Sequence, residues 1–177
     1  MSDSPKKLLI LFLCTGNTCR SPLAERILKK MLQEKNISQV EVKSAGIETW
    51  DGMPASLFTI QVAKDRGINL FSHRSEKLTE EFLKEATLVL ALAPEHYQYV
   101  KDNFRKYISK VFLLKAFPQQ RTKGKELTVP DPIGGTLREY NEVFFEIEEE
   151  IKRVFPYIEK IIKTRELSSL KSIQKNE

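Results

Sequence analysis

Cys14 and Arg20 bracket the short segment Thr-Gly-Asn-Thr-Cys inside the stretch LLILFLCTGNTCRSPLAE, Leu8 to Glu25. A cysteine and an arginine at the two ends of a loop make a site for a tetrahedral anion. The amides of Thr15, Gly16, Asn17, Thr18 and Cys19 form a donor nest, and the Arg20 guanidinium adds a planar fork. Three oxygens are held while the sulfur faces the phosphorus or arsenic atom. That arrangement suits nucleophilic transfer through a covalent cysteine intermediate. A free cysteine has a pKa of about 8.5, and helix N-termini or nearby cations lower it to roughly 3.5–7.5. Arg20 and the positive end of a following helix are therefore expected to make Cys14 a thiolate. Gly16 is expected to provide a backbone shape that a side chain would obstruct. The leaving group also needs an acid, and Asp131 in VPDPIGG is the best candidate. Asp131 reads equally well as the first residue of a turn.

These residues need a scaffold. Lys7 to Leu13 is a continuous apolar run and reads as a buried strand. Pro22 to about Gln33 carries a helical apolar stripe, with Pro22 at its first position and Ser21 as its cap. Val40 to Ser44 alternates as a strand. Pro54 opens a second helix with Leu57, Phe58, Val62 and Ala63 on one side, stopped by Gly67. A short helix near Glu80 to Lys84 precedes a strand over Thr87 to Ala93. Pro94 starts a helix to about Phe104, and Lys110 to Leu114 is a fourth strand. Gln119 to Val129 is a polar loop. Thr136 and Glu139 form a capping box for a long helix, which Pro156 should kink or break.

Strands alternating with helices predict an α/β fold: a single doubly wound domain with a parallel sheet and helices on both faces. The domain spans 1–177, with 1–6 and 163–177 expected to be loose. Ligands in such sheets sit at the carboxyl ends of the strands, near a switch in strand order. Cys14 ends the first strand, and Ser44 reaches the same edge.

The net charge of +5 favours anionic ligands without requiring nucleic acid, and no basic stretch interleaved with aromatics offers a stacking platform. No apolar run approaches the roughly 20 residues that span a bilayer. The Lys6-Lys7-LLILFL segment is too short for a signal peptide and lacks a cleavage site. A cytoplasmic location is expected. No metal or cofactor is expected, and the oligomeric state is left open.

CTGNTCRSPLAE, Ser44-Ala45-Gly46, Ser72-His73 and Asp131-Pro132 occur in the order found in the low-molecular-weight protein tyrosine phosphatase family, which the chain resembles over Leu8 to Lys163. The resemblance implies a four-stranded parallel sheet. It also implies Cys14 as the nucleophile that becomes a phosphocysteine, Arg20 as the phosphoryl-binding residue and Asp131 as general acid, then base for the hydrolytic water. Ser21 would hydrogen-bond the Cys14 sulfur, and Ser44 and His73 would support Asn17. The implied partners are a phosphorylated protein as substrate and inorganic phosphate as product.

Thr18 is polar, where tyrosine-directed members carry a bulky aliphatic, and Ile133-Gly134-Gly135 stands where they carry aromatics. That pattern resembles the bacterial protein-arginine phosphatase branch, with Thr18, Trp50 and Ile133 as specificity positions. Trp50 argues for phosphotyrosine instead, because it falls where an aromatic pocket wall is usual. Glu76 departs from the arginine usual there in tyrosine-directed members. Thioredoxin-coupled arsenate reductases share the loop but need resolving cysteines elsewhere, and this chain has none after Cys19. A sugar-transport phosphocysteine carrier would not need Arg20 together with Asp131. A phosphate-docking module is a further alternative. Oxidation is expected to join Cys14 to Cys19 and block the enzyme reversibly.

Overall fold

Strand β1, Leu8–Cys14, is buried along its whole length. Its side chains alternate between two cores: Leu8, Ile10, Phe12 and Cys14 face one, while Leu9, Leu11 and Leu13 face the other. This is why the strand reads as an unbroken apolar run. A strand covered on both faces has no polar side to show. The architecture is that of a computed structural model, which describes the backbone of residues 7–174 and the side chains of residues 7–165.

The elements that follow are α1 (Arg20–Glu34), β2 (Val40–Gly46), α2 (Leu57–Lys64), α3 (Glu80–Glu85), β3 (Leu88–Ala91), α4 (Pro94–Asn103), β4 (Val111–Leu113) and α5 (Leu137–Gln174). Short 3₁₀ turns occupy Arg105–Lys110 and Lys125–Leu127. The four strands pair in parallel in the order β2-β1-β3-β4. Leu23, Ile27 and Leu28 of α1, Val62 of α2 and Phe144, Ile147 and Ile151 of α5 pack on one face. Leu83 of α3 and Val100 of α4 pack on the other. The fold is the expected doubly wound α/β domain. Strand order reverses between β2 and β3 on either side of β1, so the segment leaving β1 emerges at the switch point.

Four local expectations are corrected. Helix α1 starts at Arg20, after Cys19, and no side chain caps it; Ser21 lies inside its first turn with its hydroxyl on the Cys14 sulfur instead. Helix α2 starts at Leu57 rather than Pro54, capped by Ser56, whose hydroxyl accepts from the Thr59 amide. Leu57 is 84% exposed, so it is not part of the buried stripe. Pro156 does not end α5, which continues to Gln174. Pro156 sits on the exposed face while Val154, Phe155 and Ile158 are buried around it. Their packing outweighs the roughly 3 kcal/mol that an interior proline costs. The expected loose tail from 163 is accordingly helical to Gln174, a stretch without glycine or proline. Residues 1–6 and 175–177, also expected to be loose, lie outside the described residues.

The capping box at the head of α5 forms: Glu139 accepts from the Thr136 amide at 2.6 Å, and Thr136 Oγ1 accepts from the Glu139 amide at 3.4 Å. Among the described residues, no helix is long and apolar enough to cross a membrane.

Candidate active site

The loop from Thr15 to Cys19 is organised around Asn17. This residue is fully buried and holds a left-handed backbone at φ 53°, a conformation that asparagine tolerates better than most residues. Its Nδ2 donates to Ser21 Oγ at 2.8 Å and to Ser44 Oγ at 2.9 Å. Its Oδ1 accepts from the Glu76 amide at 2.9 Å, and its carbonyl accepts from His73 Nε2 at 2.7 Å. Ser44 and His73 therefore meet at Asn17, one from the end of β2 and one from the loop before α3. Burial lowers the pKa of His73, which favours the neutral ring. The special backbone conformation falls on Asn17 and not on the expected Gly16, where a Cβ would meet only Thr18 Oγ1, at an ordinary 3.6 Å. The glycine that the loop does require is Gly46. A Cβ there would lie 2.7 Å from the Thr15 carbonyl oxygen.

Cys14 ends β1 and is buried. Its Sγ lies 2.9 Å from Ser21 Oγ and accepts from the Asn17 amide at 3.2 Å. Burial raises the thiol pKa, while the Ser21 hydroxyl, the Arg20 charge and the Ser21 and Asn17 amides pull it down. The net direction is upward. Desolvation of the sulfur is the largest of these influences.

Arg20 is 3% exposed and Asp131 41% exposed. Nη2 of Arg20 donates to Asp131 Oδ2 at 2.7 Å and to Thr15 Oγ1 at 3.3 Å, and Nη1 donates to the Val129 carbonyl at 3.1 Å. The Asp131 loop is thus drawn onto the guanidinium from 111 residues away. The turn expected at Asp131 is present, since its Oδ1 also accepts from the Ile133 amide at 3.2 Å.

The rim is different. Trp50 is 84% exposed and Ile133 68% exposed. Trp50 follows a segment stitched to the loop by Ile47 N–H to the Cys14 carbonyl and Glu48 N–H to the Thr15 carbonyl, each 3.0 Å. Thr18 is half-buried, and its carbonyl accepts from the Ser56 amide at 3.0 Å. Cys19 is a buried free thiol that donates to Ser56 Oγ at 3.4 Å and lies 3.7 Å from the Tyr140 hydroxyl.

Two participants went unpredicted. Glu25 accepts from the Ser44 hydroxyl at 2.6 Å, anchoring the Asn17 network from α1. Its sequence signal is a carboxylate set among Leu23, Ala24, Ile27 and Leu28. His96 meets Thr15, with Nε2 3.0 Å from Oγ1. Its signal is rarity, since the chain has two histidines. Among the described residues, no group of three or more His, Cys, Asp or Glu is arranged to hold a metal ion.

The family model described as Low molecular weight phosphotyrosine protein phosphatase matches residues 9–167. The chain belongs to this family. Membership carries the reaction class with it, that of cysteine-dependent phosphatases. Similar relatives include the Protein-arginine-phosphatase of Bacillus subtilis (strain 168), 35% identical over 151 residues, covering 85% of this chain and 97% of the relative. The Protein-arginine-phosphatase of Geobacillus stearothermophilus is 39% identical over 145 residues, covering 82% and 92%. Among solved structures, a mutant of the YwlE arginine phosphatase with a phosphorylated active-site serine superposes with a TM-score of 0.79. It is 33% identical, over 86% of this chain and 97% of that one.

Proposed function

We propose that the chain hydrolyses phosphoarginine on proteins through a phosphocysteine at Cys14. The Cys14 sulfur attacks phosphorus as the thiolate, the form that the Ser21 hydroxyl, the Arg20 charge and the Asn17 amide favour, forming the S–P bond as the bond to the arginine nitrogen breaks. Arg20 and the loop amides hold the three equatorial oxygens, where charge gathers in the transition state. Asp131 gives its proton to the leaving nitrogen. It then takes one from the water that cleaves the S–P bond, releasing inorganic phosphate and the free cysteine. Ser21 holds the Cys14 sulfur, and the Asn17 set keeps the loop open for the anion.

One observation carries the reaction. Asp131 Oδ2 lies 2.7 Å from the Arg20 nitrogen that also contacts the loop, so acid and phosphoryl binder stand side by side. The substrate rests on the similarity to two relatives named protein-arginine-phosphatases, joined by the polar wall at Thr18 and the missing aromatic after Pro132. The setting of this reading is the cytoplasm. It also includes reversible shut-off by peroxide, in which the two thiols of Cys14 and Cys19 form a disulfide as peroxide is reduced to water. Cys19 must first leave Ser56 and Tyr140.

A second reading, phosphotyrosine, is favoured by the large exposed face of Trp50, which suits a phenyl ring. Comparing kcat/KM on matched phosphoarginine and phosphotyrosine peptides decides between them. Wild type should prefer phosphoarginine, and Thr18→Ile should move the preference towards phosphotyrosine by about tenfold or more, the size of about 1.4 kcal/mol. A wild-type preference for phosphotyrosine would overturn the substrate and leave the chemistry.

A further inference from the structure

His96 is fully buried in the first turn of α4. Its helix leaves β3, the strand beside β1 on the flank away from the Asn17 set. Nε2 lies 3.0 Å from Thr15 Oγ1, and the same oxygen accepts from Arg20 Nη2 at 3.3 Å. Among the described residues, His96 Nδ1 is buried with no hydrogen-bond partner. The reaction outlined above gives this residue no task.

Two hydrogen-bonding arrangements fit the contact. In the first, the Thr15 hydroxyl donates to Nε2 and Nδ1 carries the ring proton. That leaves an N–H in the core with no acceptor. In the second, Nε2–H donates to Thr15 Oγ1 and Nδ1 keeps only a lone pair. The doubly protonated ring is disfavoured, because burial and then the Arg20 charge bring the pKa down to about 3. Buried N–H groups without acceptors are rarer in proteins than buried acceptors without donors, which selects the second arrangement.

That arrangement fixes the Thr15 hydroxyl. Its oxygen accepts from both Arg20 and His96, which fills its two lone pairs. Its own proton must then point elsewhere. Thr15 is half-buried and bonded to the guanidinium, so a phosphoryl oxygen seated between Cys14 and Arg20 would offer that proton an acceptor.

We infer that His96 is a positioning residue for phosphoryl binding: by donating to Thr15 it turns the Thr15 hydroxyl proton towards the bound phosphoryl group and steadies the Arg20 nitrogen that also holds Asp131. This deepens the phosphatase reading and rests on it. His96 touches no substrate. Its influence passes through one hydroxyl.

The test measures inhibition by inorganic phosphate together with kcat/KM on a phosphoarginine peptide. The variants are Thr15→Val, Thr15→Ser, His96→Leu, His96→Gln and the Thr15→Val/His96→Leu double. Removing either partner should weaken phosphate inhibition by about tenfold or more, the scale of one hydrogen bond to a charged group. Thr15→Ser and His96→Gln, which keep a hydroxyl and a donor, should recover most of it. The double variant should be no worse than Thr15→Val alone. Nitrogen NMR of the wild-type ring should find the proton on Nε2.

Phosphate inhibition unchanged in Thr15→Val, additive losses in the double variant, or a proton on Nδ1 would each overturn the inference. If His96→Leu does not fold, the two Thr15 variants and the ring tautomer still decide. A folded wild type that neither binds phosphate nor turns over either phosphopeptide would overturn the phosphatase reading itself.

Discussion

The floor and the rim of the site are built on opposite plans. On the floor, Cys14, Asn17, Arg20 and Ser21 are all 5% exposed or less, and each is held by hydrogen bonds to other residues. On the rim, Trp50 and Ile133 stand mostly in solvent. The floor has one geometry because the Asn17, Arg20 and Ser21 side chains are each tied to fixed hydrogen-bond partners, and a buried polar set of this kind is costly to rearrange. The rim can change residue by residue at little cost to folding. On the proposed reading, the floor serves the phosphoryl chemistry and the rim serves the choice of substrate.

Asn17→Ala tests the floor most severely. It leaves the Ser44 and Ser21 hydroxyls short of a donor and the Glu76 amide without its acceptor, at a left-handed position that alanine resists. Urea denaturation should show a loss of about 2–4 kcal/mol, given about 1–3 kcal/mol for each buried group left unsatisfied. A loss below about 1 kcal/mol would mean that the floor is not held as described.

Ser21→Ala sharpens the same side of the comparison with little structural disturbance. Burial raises the Cys14 pKa and the Ser21 hydrogen bond lowers it. Removing the hydroxyl must raise the pKa further, so at any given pH the thiolate fraction falls. Ultraviolet titration of the thiolate, or the alkylation rate against pH, should move to higher pH. An unmoved curve would sever Ser21 from the sulfur.

Trp50→Ala tests the rim and should be the mildest. Stability should change by no more than about 0.5 kcal/mol, as for exposed positions without special contacts. The kinetic effect should appear in KM and stay below about tenfold for a phosphoarginine peptide. A folding defect would show that the rim is tied to the core after all.

The same contrast governs what could be read from the chain. Strands β1 and β3 were legible because a strand buried on both faces is apolar at every position. The Cys14–Arg20 loop was legible because its chemistry lies within one short segment. Pro156 does not break α5, because the rule for proline is local, while Val154, Phe155 and Ile158 are held by the rest of the fold. Ser21 has the right type and place for a cap, but the nearby sulfur takes its hydroxyl. The partnership of Thr15 with His96 spans 81 residues, and only the placement of β3 beside β1 brings them together. The charges near the Cys14 sulfur were legible, but not how completely the fold desolvates it.

The central claim is that phosphorus passes from an arginine side chain to Cys14 and then to water. Rapid quenching of wild type and Asp131→Asn during turnover of a phosphoarginine peptide, followed by mass spectrometry, tests it directly. The account predicts one phosphoryl group on the Cys14 peptide, accumulating in Asp131→Asn where hydrolysis lacks its base, and none in Cys14→Ser on the same timescale. Turnover of the peptide with no phosphoryl group ever found on Cys14, or undiminished turnover by Cys14→Ser, would contradict it.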